Sequence, residues 1–295
     1  MEAYFVAIAI IVAIYTLLAL GLNLQYGLTG LINFGHVGFM CVGAYTAALL
    51  AEQGWPAPLS FLAAAILAAL AAYPLGLVSL KLRDDYFAIV SLGFSEVVRI
   101  VVTSERWLTN GVQGIPGIPK LMGFTGSGLV QASAVLLLLI AVNIVVILVM
   151  RRIVHSPFGR IIEAIRDNED AVKALGKEPV GFKVRVLMLG AALAGIAGAF
   201  YAHYIGYVAP DQFIPLITFQ IWMAIIMGGV GRVSGALVGT VILMAFLEGS
   251  RFLRDVVPFI SEVEMASVRL GVVGLALILF TLYRPQGLMG DFTRR

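Results

Sequence analysis

The sequence predicts an all-α polytopic membrane protein with roughly nine membrane helices. Two observations support this fold class. Of the 295 residues, 60% are hydrophobic and only 13% are charged, and the mean hydropathy is +0.98, whereas an average soluble domain is about 45–50% apolar and about 25% charged. In addition, apolar runs cover nearly the whole chain, which leaves no room for a separate soluble domain. We therefore treat residues 1–295 as a single transmembrane domain.

Five mostly apolar runs qualify as candidates to cross a bilayer. A spanning helix needs about 20 mostly apolar residues, since each residue advances the helix by about 1.5 Å. The five runs are Phe5–Leu24, Leu59–Leu80, Leu129–Met150, Val186–Val208 and Val268–Tyr283.

Two further apolar runs contain glycines that interrupt a simple helix. Leu28–Ala51 is long enough to span but is rich in glycine, which favours either close helix packing or a broken, re-entrant segment. Ile217–Leu247 is too long for one span and is divided at Gly228–Arg232, so it predicts two helices with a tight turn between them. With the run Tyr86–Thr103, the count is nine, within a range of eight to ten.

Four polar residues inside these runs are candidates to line a polar pathway. Asn33 and His36 interrupt one glycine-rich run, and Glu96 and Arg99 interrupt Tyr86–Thr103. Glu96 and Arg99 are three positions apart, so they can pair on one helix face. Charged groups are costly in lipid and usually face a protein interior. The alternatives are that Asn33 and His36 belong to a packing element and that Glu96 and Arg99 form a structural pair near the membrane edge.

The distribution of basic residues predicts the orientation. Most of the 20 lysines and arginines fall in loops that share one side of the membrane when the C-terminus is cytoplasmic and the N-terminus is outside. The first apolar run lacks a preceding basic region, so we expect it to remain as a membrane helix. A net charge of +3 that is confined to such loops does not indicate nucleic-acid binding.

The longest polar stretch on the predicted cytoplasmic side is Arg151–Arg185. Ser156–Pro157 is typical of a helix start, with an N-cap followed by proline at the first helical position. The apolar positions within Phe158–Leu175 have helical spacing, and Gly176 ends the pattern. Pro179–Gly181 is expected to turn the chain toward the next span. The stretch therefore predicts a short amphipathic helix, or a helix pair, lying against the cytoplasmic face.

The charges on this predicted helix leave two interpretations open. An amphipathic helix can simply rest on anionic lipid headgroups, but such helices are usually rich in lysine and arginine. Here Glu163, Asp167, Glu169 and Asp170 are as numerous as the basic residues nearby. A face of mixed charge favours a protein partner.

No motif predicts a catalytic, metal or cofactor site. The sequence lacks a phosphate-binding G-x-x-x-x-G-K-[ST] loop, an H-E-x-x-H and a G-x-S-x-G. Cys41 is the only cysteine, and His36, His155 and His203 are not spaced as a ligand set. Gly229–Gly235 has serine where a dinucleotide-binding loop has its third glycine, and it lies between apolar runs. We expect no enzyme activity and no cofactor in this chain.

Several motifs together resemble the LivM-type permeases, which are membrane subunits of ABC importers. The motifs follow one another in the expected order over essentially the whole chain, and their combination is more specific than any one of them. They are Asp85–Phe94, Asn110–Pro119, Ser156–Arg160, Glu163–Glu169, Ala174–Gly176, Gly228–Gly235 and Tyr283–Leu288.

The resemblance implies a transport function that depends on partners. It implies a permease domain over residues 1–295 that forms half of a translocation pathway for branched-chain amino acids in the bacterial inner membrane. A second homologous permease, two ATPase subunits and an extracytoplasmic solute-binding protein would complete the importer. Urea, short amides and other amino acids are alternative substrates. The alternative mechanism, a secondary transporter driven by an ion gradient, is weakened because few carboxylates lie within the spans.

The resemblance also assigns roles to the loop at about residues 151–185. Glu163, Ala164 and Gly176 match the pattern of the coupling helix that contacts the ATPase in such importers, and Arg166 and Asp167 lie on the same helix. The chain departs from the pattern at Ile165, where a second alanine is usual. The loop at residues 109–119 is rich in glycine and proline, so it predicts an ordered, turn-rich segment. On the outside of the membrane it is either a contact for the solute-binding protein or a simple connector.

Overall fold

A computed structural model describes residues 2–79, 84–121, 128–249, 262–283 and 286–289. Within these ranges the protein is a helical bundle with a single pair of two-residue strands. The helices are α1 Glu2–Thr29, α2 His36–Glu52, α3 Ala57–Ser79, α4 Asp84–Ser104, α5 Arg106–Thr109, α6 Gly128–Val154, α7 Pro157–Asp167, α8 Glu169–Ala174, α9 Pro179–Ile205, α10 Pro215–Gly228, α11 Val233–Gly249 and α12 Glu262–Tyr283. The strands are β1 Ile115–Pro116 and β2 Tyr207–Val208, and 3₁₀ turns occupy Gly111–Gln113 and Pro210–Gln212.

The all-α polytopic fold class is confirmed, but the span count is lower than predicted. Six helices within the described ranges are long and apolar enough to cross a membrane. Helices α2 and α11 are apolar but shorter, with 17 residues each. The ninth predicted run, Val268–Tyr283, lies within α12, which is not among the six. The part of the chain that the structure describes therefore supports six to eight spans, against the predicted nine with its range of eight to ten.

Helix α9 lies at the centre of the bundle and packs against α1, α2 and α3. Its small residues allow the backbones to come close together, as in many membrane helix pairs. A Cβ atom on Gly190 would overlap the side chain of Gln25 in α1, and one on Gly198 would overlap the Met40 carbonyl in α2. A Cβ atom on Gly195 would overlap the Ala64 carbonyl in α3. These glycines position the elements that surround the candidate site.

Two predicted boundaries are wrong. The first helix does not end at Leu24 but continues to Thr29, and the run predicted as Leu28–Ala51 divides into the end of α1, an irregular segment and α2. Helix α9 begins at Pro179, not at Val186, so Pro179–Gly181 forms its first turn and does not bend the chain away. Proline is favoured at the first helical position because its fixed φ suits a helix and its missing N–H has no partner there.

The strand pair lies at the end of the bundle away from α7 and α8. Strands β1 and β2 are antiparallel, with Ile115 opposite Val208 and Pro116 opposite Tyr207. The hydroxyl of Tyr207 donates to the Gln113 carbonyl at 2.8 Å. The predicted ordered, turn-rich loop at residues 109–119 is confirmed, with a 3₁₀ turn and one strand inside it.

Part of the evidence for orientation lies outside the described residues. The basic residues concerned are Lys81, Arg83, Arg251, Arg254, Arg284, Arg294 and Arg295. The orientation of the termini stays a prediction.

Candidate functional site

The polar stretch after α6 folds as the helix pair α7–α8. Ser156 caps α7 by accepting a hydrogen bond from the Gly159 amide at 3.2 Å. Asn168 ends α7 and begins α8, and its side chain accepts from the Ala171 amide at 3.0 Å. Gly176 has a left-handed φ of 74° directly after the helix pair, so the predicted stop is confirmed. Each helix end thus has a residue suited to satisfy its free backbone groups.

The apolar side of the pair is docked against the bundle. Ile162, Ile165 and Val172 are buried, and the ring of Phe158 lies 5.7 Å from that of Phe182 in α9. Leu175 differs from the prediction, since its side chain is 81% exposed at the end of α8. The pair is a fixed part of the fold with an exposed outer face.

The predicted coupling residues lie on different sides of this pair. Ala164, Asp167 and Gly176 are exposed, and Glu163 is half-buried. Asp167 pairs with Arg166, with 2.9 Å between Oδ1 and Nη2. The exposed members can contact a partner, whereas the Arg166 guanidinium is engaged within the chain.

Arg166 joins α7 to the end of α1. Its Nη1 donates to the Gly27 carbonyl at 2.7 Å, one of the last carbonyls of the helix, which lack partners within α1. A Cβ atom on Gly30, just after the helix, would lie 3.4 Å from the Arg166 side chain. A cation is also favoured there by the helix dipole. Displacement of α7 would therefore act directly on the end of α1.

The same end of α1 is tied to the turn between α10 and α11. Asn23 donates through Nδ2 to the Arg232 carbonyl at 3.2 Å and accepts from the Gly231 amide at 3.1 Å. Arg232 in turn donates to the Met289 carbonyl at 3.1 Å. Three separate parts of the chain thus meet at one end of the bundle, beside α7.

A second ion-pair cluster holds α8 on α9. Lys183 Nζ lies 2.6 Å from Glu169 Oε2, and Lys173 Nζ lies 3.0 Å from Glu169 Oε1. Burial alone would raise the pKa of the Glu169 carboxyl, but the hydrogen bonds and charges of Lys183 and Lys173 outweigh it and hold that pKa below its usual range. Lys183 is buried, so the cluster fixes the start of α9 as well as α8.

The irregular segment Gly30–Gly35 lies between α1 and α2 and is held by side chains. Gln25 donates through Nε2 to the Leu187 carbonyl of α9 at 3.1 Å and accepts from Asn33 Nδ2 at 2.8 Å. Asn33 Oδ1 accepts from the Gly35 amide at 2.9 Å. Backbone groups away from water need such partners, since leaving one unpaired costs about 1–3 kcal/mol.

Two more helices supply partners to the same segment. Ser91 of α4 accepts from the Phe34 amide at 3.0 Å, and Thr218 of α10 accepts from the Val37 amide at 3.0 Å. Trp222 of α10 donates through its indole N–H to the Asn33 carbonyl at 3.0 Å. The break is therefore a buried junction of α1, α2, α4, α9 and α10.

The junction is also closely packed at its glycines. A Cβ atom on Gly35 would overlap the Ser91 carbonyl, and one on Gly38 would lie 2.9 Å from the Cα of Ser95. Only glycine lets α2 begin so close to α4. This spacing leaves no room for a side chain at either position.

The four residues predicted for the pathway divide into two groups. Asn33 and His36 are fully buried in the junction, and His36 Nε2 lies 3.1 Å from the Leu18 carbonyl in the middle of α1. The first residue of α2 therefore lies beside Leu18 and not beside Thr29, the last residue of α1. Measured along the axis of α1, the two positions are about 16 Å apart, since each residue advances the helix by about 1.5 Å. Glu96 and Arg99 form the predicted pair, with 2.7 Å between Oε2 and Nη2, and both side chains are about one-third exposed. Whether any of the four contacts a solute stays a prediction.

Sequence reasoning missed the polar residues that hold the junction. Gln25 lies between the predicted runs Phe5–Leu24 and Leu28–Ala51, and Asn23 lies near the end of the first run, whereas both are part of α1. Ser91 lies within the motif Asp85–Phe94, which assigns it no role, and Thr218 belongs to none of the motifs. The available signal was the pair of polar residues Asn23 and Gln25 at the end of an apolar run, next to the glycine-rich segment.

Among the described residues, no group of three or more His, Cys, Asp or Glu side chains could hold a metal ion. One end of the bundle presents an exposed helix pair, and hydrogen bonds connect that pair to a buried break in the helices.

Comparison with known proteins gives the family of the chain. Residues 4–281 match the family described as the permease component of the branched-chain amino acid transport system. The chain belongs to this family. It is 33% identical to the LivM permease protein of the high-affinity branched-chain amino acid transport system of Escherichia coli, over 96% of this chain and 69% of that protein. A probable LivM protein of Methanocaldococcus jannaschii is 26% identical over 94% of this chain and 91% of its own length.

A second type of permease matches the same chain. The LivH permease protein of Salmonella typhimurium is 25% identical over 94% of this chain and 91% of that protein. No solved structure matches the chain. Family membership makes the chain a multi-pass membrane permease, in agreement with its fold.

Proposed function

We propose that the chain is the membrane-spanning permease subunit of an ABC importer for branched-chain amino acids. The observation that carries the proposal is the docked helix pair α7–α8 in a chain of this permease family. The names of the LivM and LivH relatives support the substrate class. Leucine, isoleucine and valine are therefore the solutes to test first.

Two ATPase subunits are the proposed source of energy, one of them bound at the outer face of α7–α8. Ala164, Asp167 and Gly176 are exposed there, and so is the apolar side chain of Leu175. An exposed leucine next to charged residues suits a protein contact better than water. The ATPase would occupy the cytoplasmic side, with the C-terminus of this chain cytoplasmic and its N-terminus outside.

A second, homologous permease is the proposed partner within the membrane. Both LivM and LivH proteins match nearly the whole of this chain, which supports a pathway built from two related subunits. Helix α4 carries the Glu96–Arg99 pair on a partly exposed face. We assign this pair to the subunit interface or to the pathway, because an ion pair that faces lipid is costly.

An extracytoplasmic solute-binding protein would bind at the opposite end. Trp107 and Val112 are 81% and 71% exposed there, next to the strand pair. Two exposed apolar side chains on an ordered loop suit a transient protein contact. The importer would act in the bacterial inner membrane, and this chain itself would carry no catalytic residue and no cofactor.

In this scheme the ATPase acts on the pathway through α1. Movement of α7 passes through the Arg166–Gly27 hydrogen bond to the end of α1. From there Gln25 and Asn33 connect it to the start of α2. Because no continuous helix joins α2 to α1, the break would let α2 move as a rigid body separately from α1.

Co-purification tests the proposal. The tagged chain, expressed with its neighbouring transport genes, should recover a second permease and two ATPase subunits. Reversing two charges by Glu163→Lys with Asp167→Lys should lower ATPase recovery and solute-stimulated ATP hydrolysis at least several-fold. The matched control is Glu52→Lys, an exposed carboxylate at the opposite end of the bundle, which should leave recovery unchanged.

Two results would contradict the proposal. One is uptake of leucine into vesicles that contain this chain alone, without ATP. The other is full ATPase recovery by the double variant. Competition with isoleucine, valine, urea and a short amide then establishes the substrate class.

A further inference from the structure

A small polar pocket lies between the start of α6 and the end of α9, at the end of the bundle away from α7–α8. It has a volume of about 100 Å³, and its polar lining comes from Lys120, Gln131, His203 and Tyr204. It lies on the opposite side of the bundle from the coupling residues, so the proposed function does not use it.

His203 has an unused hydrogen-bonding atom at this pocket. The residue is buried, with 3% of its surface exposed, and Nδ1 lies 2.7 Å from the Pro119 carbonyl. Because a carbonyl oxygen only accepts, Nδ1 carries the proton, and Nε2 of the neutral ring is an acceptor. Nε2 has no hydrogen-bond partner. A buried acceptor of this kind normally has a partner, so Nε2 is suited to accept a hydrogen bond from a ligand in the pocket.

A larger, almost wholly apolar groove adjoins the polar pocket. It has a volume of about 520 Å³ and runs between α3, α6 and α9, with Leu62, Ala65 and Val142 in its lining. Leu121 lines both the groove and the pocket. Phe61 lines the groove and stacks on the His203 ring, with centroids 5.5 Å apart and planes 12° apart. The two spaces form one amphipathic site at the membrane boundary.

We propose that this site binds one anionic, hydroxyl-bearing phospholipid of the phosphatidylglycerol type. An acyl chain would fill the apolar groove between the spanning helices. The phosphate would lie near Lys120, the cation at the pocket, as basic groups near membrane helices attract anionic headgroups. A glycerol hydroxyl would donate to His203 Nε2. Phosphatidylethanolamine fits less well, because its ammonium group would face Lys120.

Lipid retention by the full chain tests this site without any transport assay. The protein is reconstituted in nanodiscs with equal amounts of phosphatidylglycerol and phosphatidylethanolamine, extracted gently, and examined by native mass spectrometry. The wild type should retain one phosphatidylglycerol molecule in several-fold excess over phosphatidylethanolamine. Lys120→Gln should reduce that retention at least fivefold, and Ala65→Phe should do the same by filling the groove.

The control for charge is Arg106→Gln, an exposed basic residue at the same end of the bundle but outside the site, which should retain the lipid as the wild type does. Size-exclusion chromatography checks that each variant is folded. If Ala65→Phe does not fold, Lys120→Gln still provides the test, because Lys120 is an exposed loop residue. Equal retention of both lipids by the wild type would overturn the proposal. So would undiminished retention of phosphatidylglycerol by folded Lys120→Gln.

Discussion

The helix pair α7–α8 and the break at Gly30–Gly35 are both interruptions of the spanning helices, but they are stabilised differently. The pair satisfies its own ends through Ser156 and Asn168 and leaves an outer face exposed. The break depends on side chains from other helices and is largely buried. The first arrangement suits binding from outside, and the second suits transmission inside the bundle. Arg166 connects the two.

The largest expected effect comes from closing the space at the break. Gly35→Ala should prevent correct folding, because the new Cβ atom would overlap the Ser91 carbonyl and α4 would have to move. The φ of −97° at Gly35 is open to any residue, so the effect is steric. Overpacking typically costs about 1–3 kcal/mol, and more when backbone must shift. The yield of monodisperse protein in detergent measures it.

Gly93→Ala is the matched control on α4, where a Cβ atom would meet nothing within 4 Å. It should be neutral or stabilise by about 0.5–1 kcal/mol, since alanine favours a helix more than glycine does. Equal yields of Gly35→Ala and Gly93→Ala would show that the break is not closely packed.

A smaller loss is expected when the break keeps its shape but loses a polar partner. Asn33→Ala would leave the Gly35 amide and Gln25 Oε1 without their bonds, at about 1–3 kcal/mol for each unsatisfied group. The thermal unfolding temperature should fall by several degrees. Ser133→Ala, which removes a hydroxyl bonded only within its own helix, should change it little. Normal stability with lost uptake would instead support the alternative role of Asn33 in the pathway.

The smallest of the three effects concerns the junction between α8 and α9. The Glu169 carboxyl has a lowered pKa in the folded protein, so its contribution to stability is present above the ordinary pKa of about 4.3 and is lost as the pH falls through the lower, folded value. The protection factors of the α8 amides, which correct the exchange rate for its intrinsic pH dependence, should therefore be high at pH 7 and should fall in acid. In Glu169→Gln these protection factors should be lower at pH 7 and nearly independent of pH.

Asp170→Asn is the control for that measurement, because the Asp170 side chain is 95% exposed and its 3.5 Å contact with Lys173 is weak. Its α8 protection factors should follow those of the wild type. Wild-type α8 protection factors that do not change with pH would contradict the role of Glu169.

The sequence was sufficient for features that depend on local rules. Composition and run length predicted the membrane fold, and Ser156, Pro157 and Gly176 predicted the ends of the helix pair. The pairing of Glu96 with Arg99 followed from helical spacing. The glycine-rich run left a broken segment as one of two alternatives. The position of the break was beyond such rules, because it depends on Ser91, Thr218 and Trp222, which lie far away along the chain. The contact of Arg166 with α1 was also beyond such rules, because its partner is a backbone carbonyl and no residue type marks that position in the sequence.

The central claim is that α7 acts on the pathway through the bond between Arg166 and the Gly27 carbonyl. The most direct test is the number of solute molecules transported per ATP hydrolysed by the reconstituted importer with Arg166→Gln. In Arg166→Gln we expect ATPase recovery to be unchanged and the transport ratio to fall at least fivefold. Arg166→Lys should restore part of the ratio. Arg152→Gln, which replaces an exposed basic residue, is the control and should leave the ratio unchanged. An unchanged ratio in Arg166→Gln would contradict the claim.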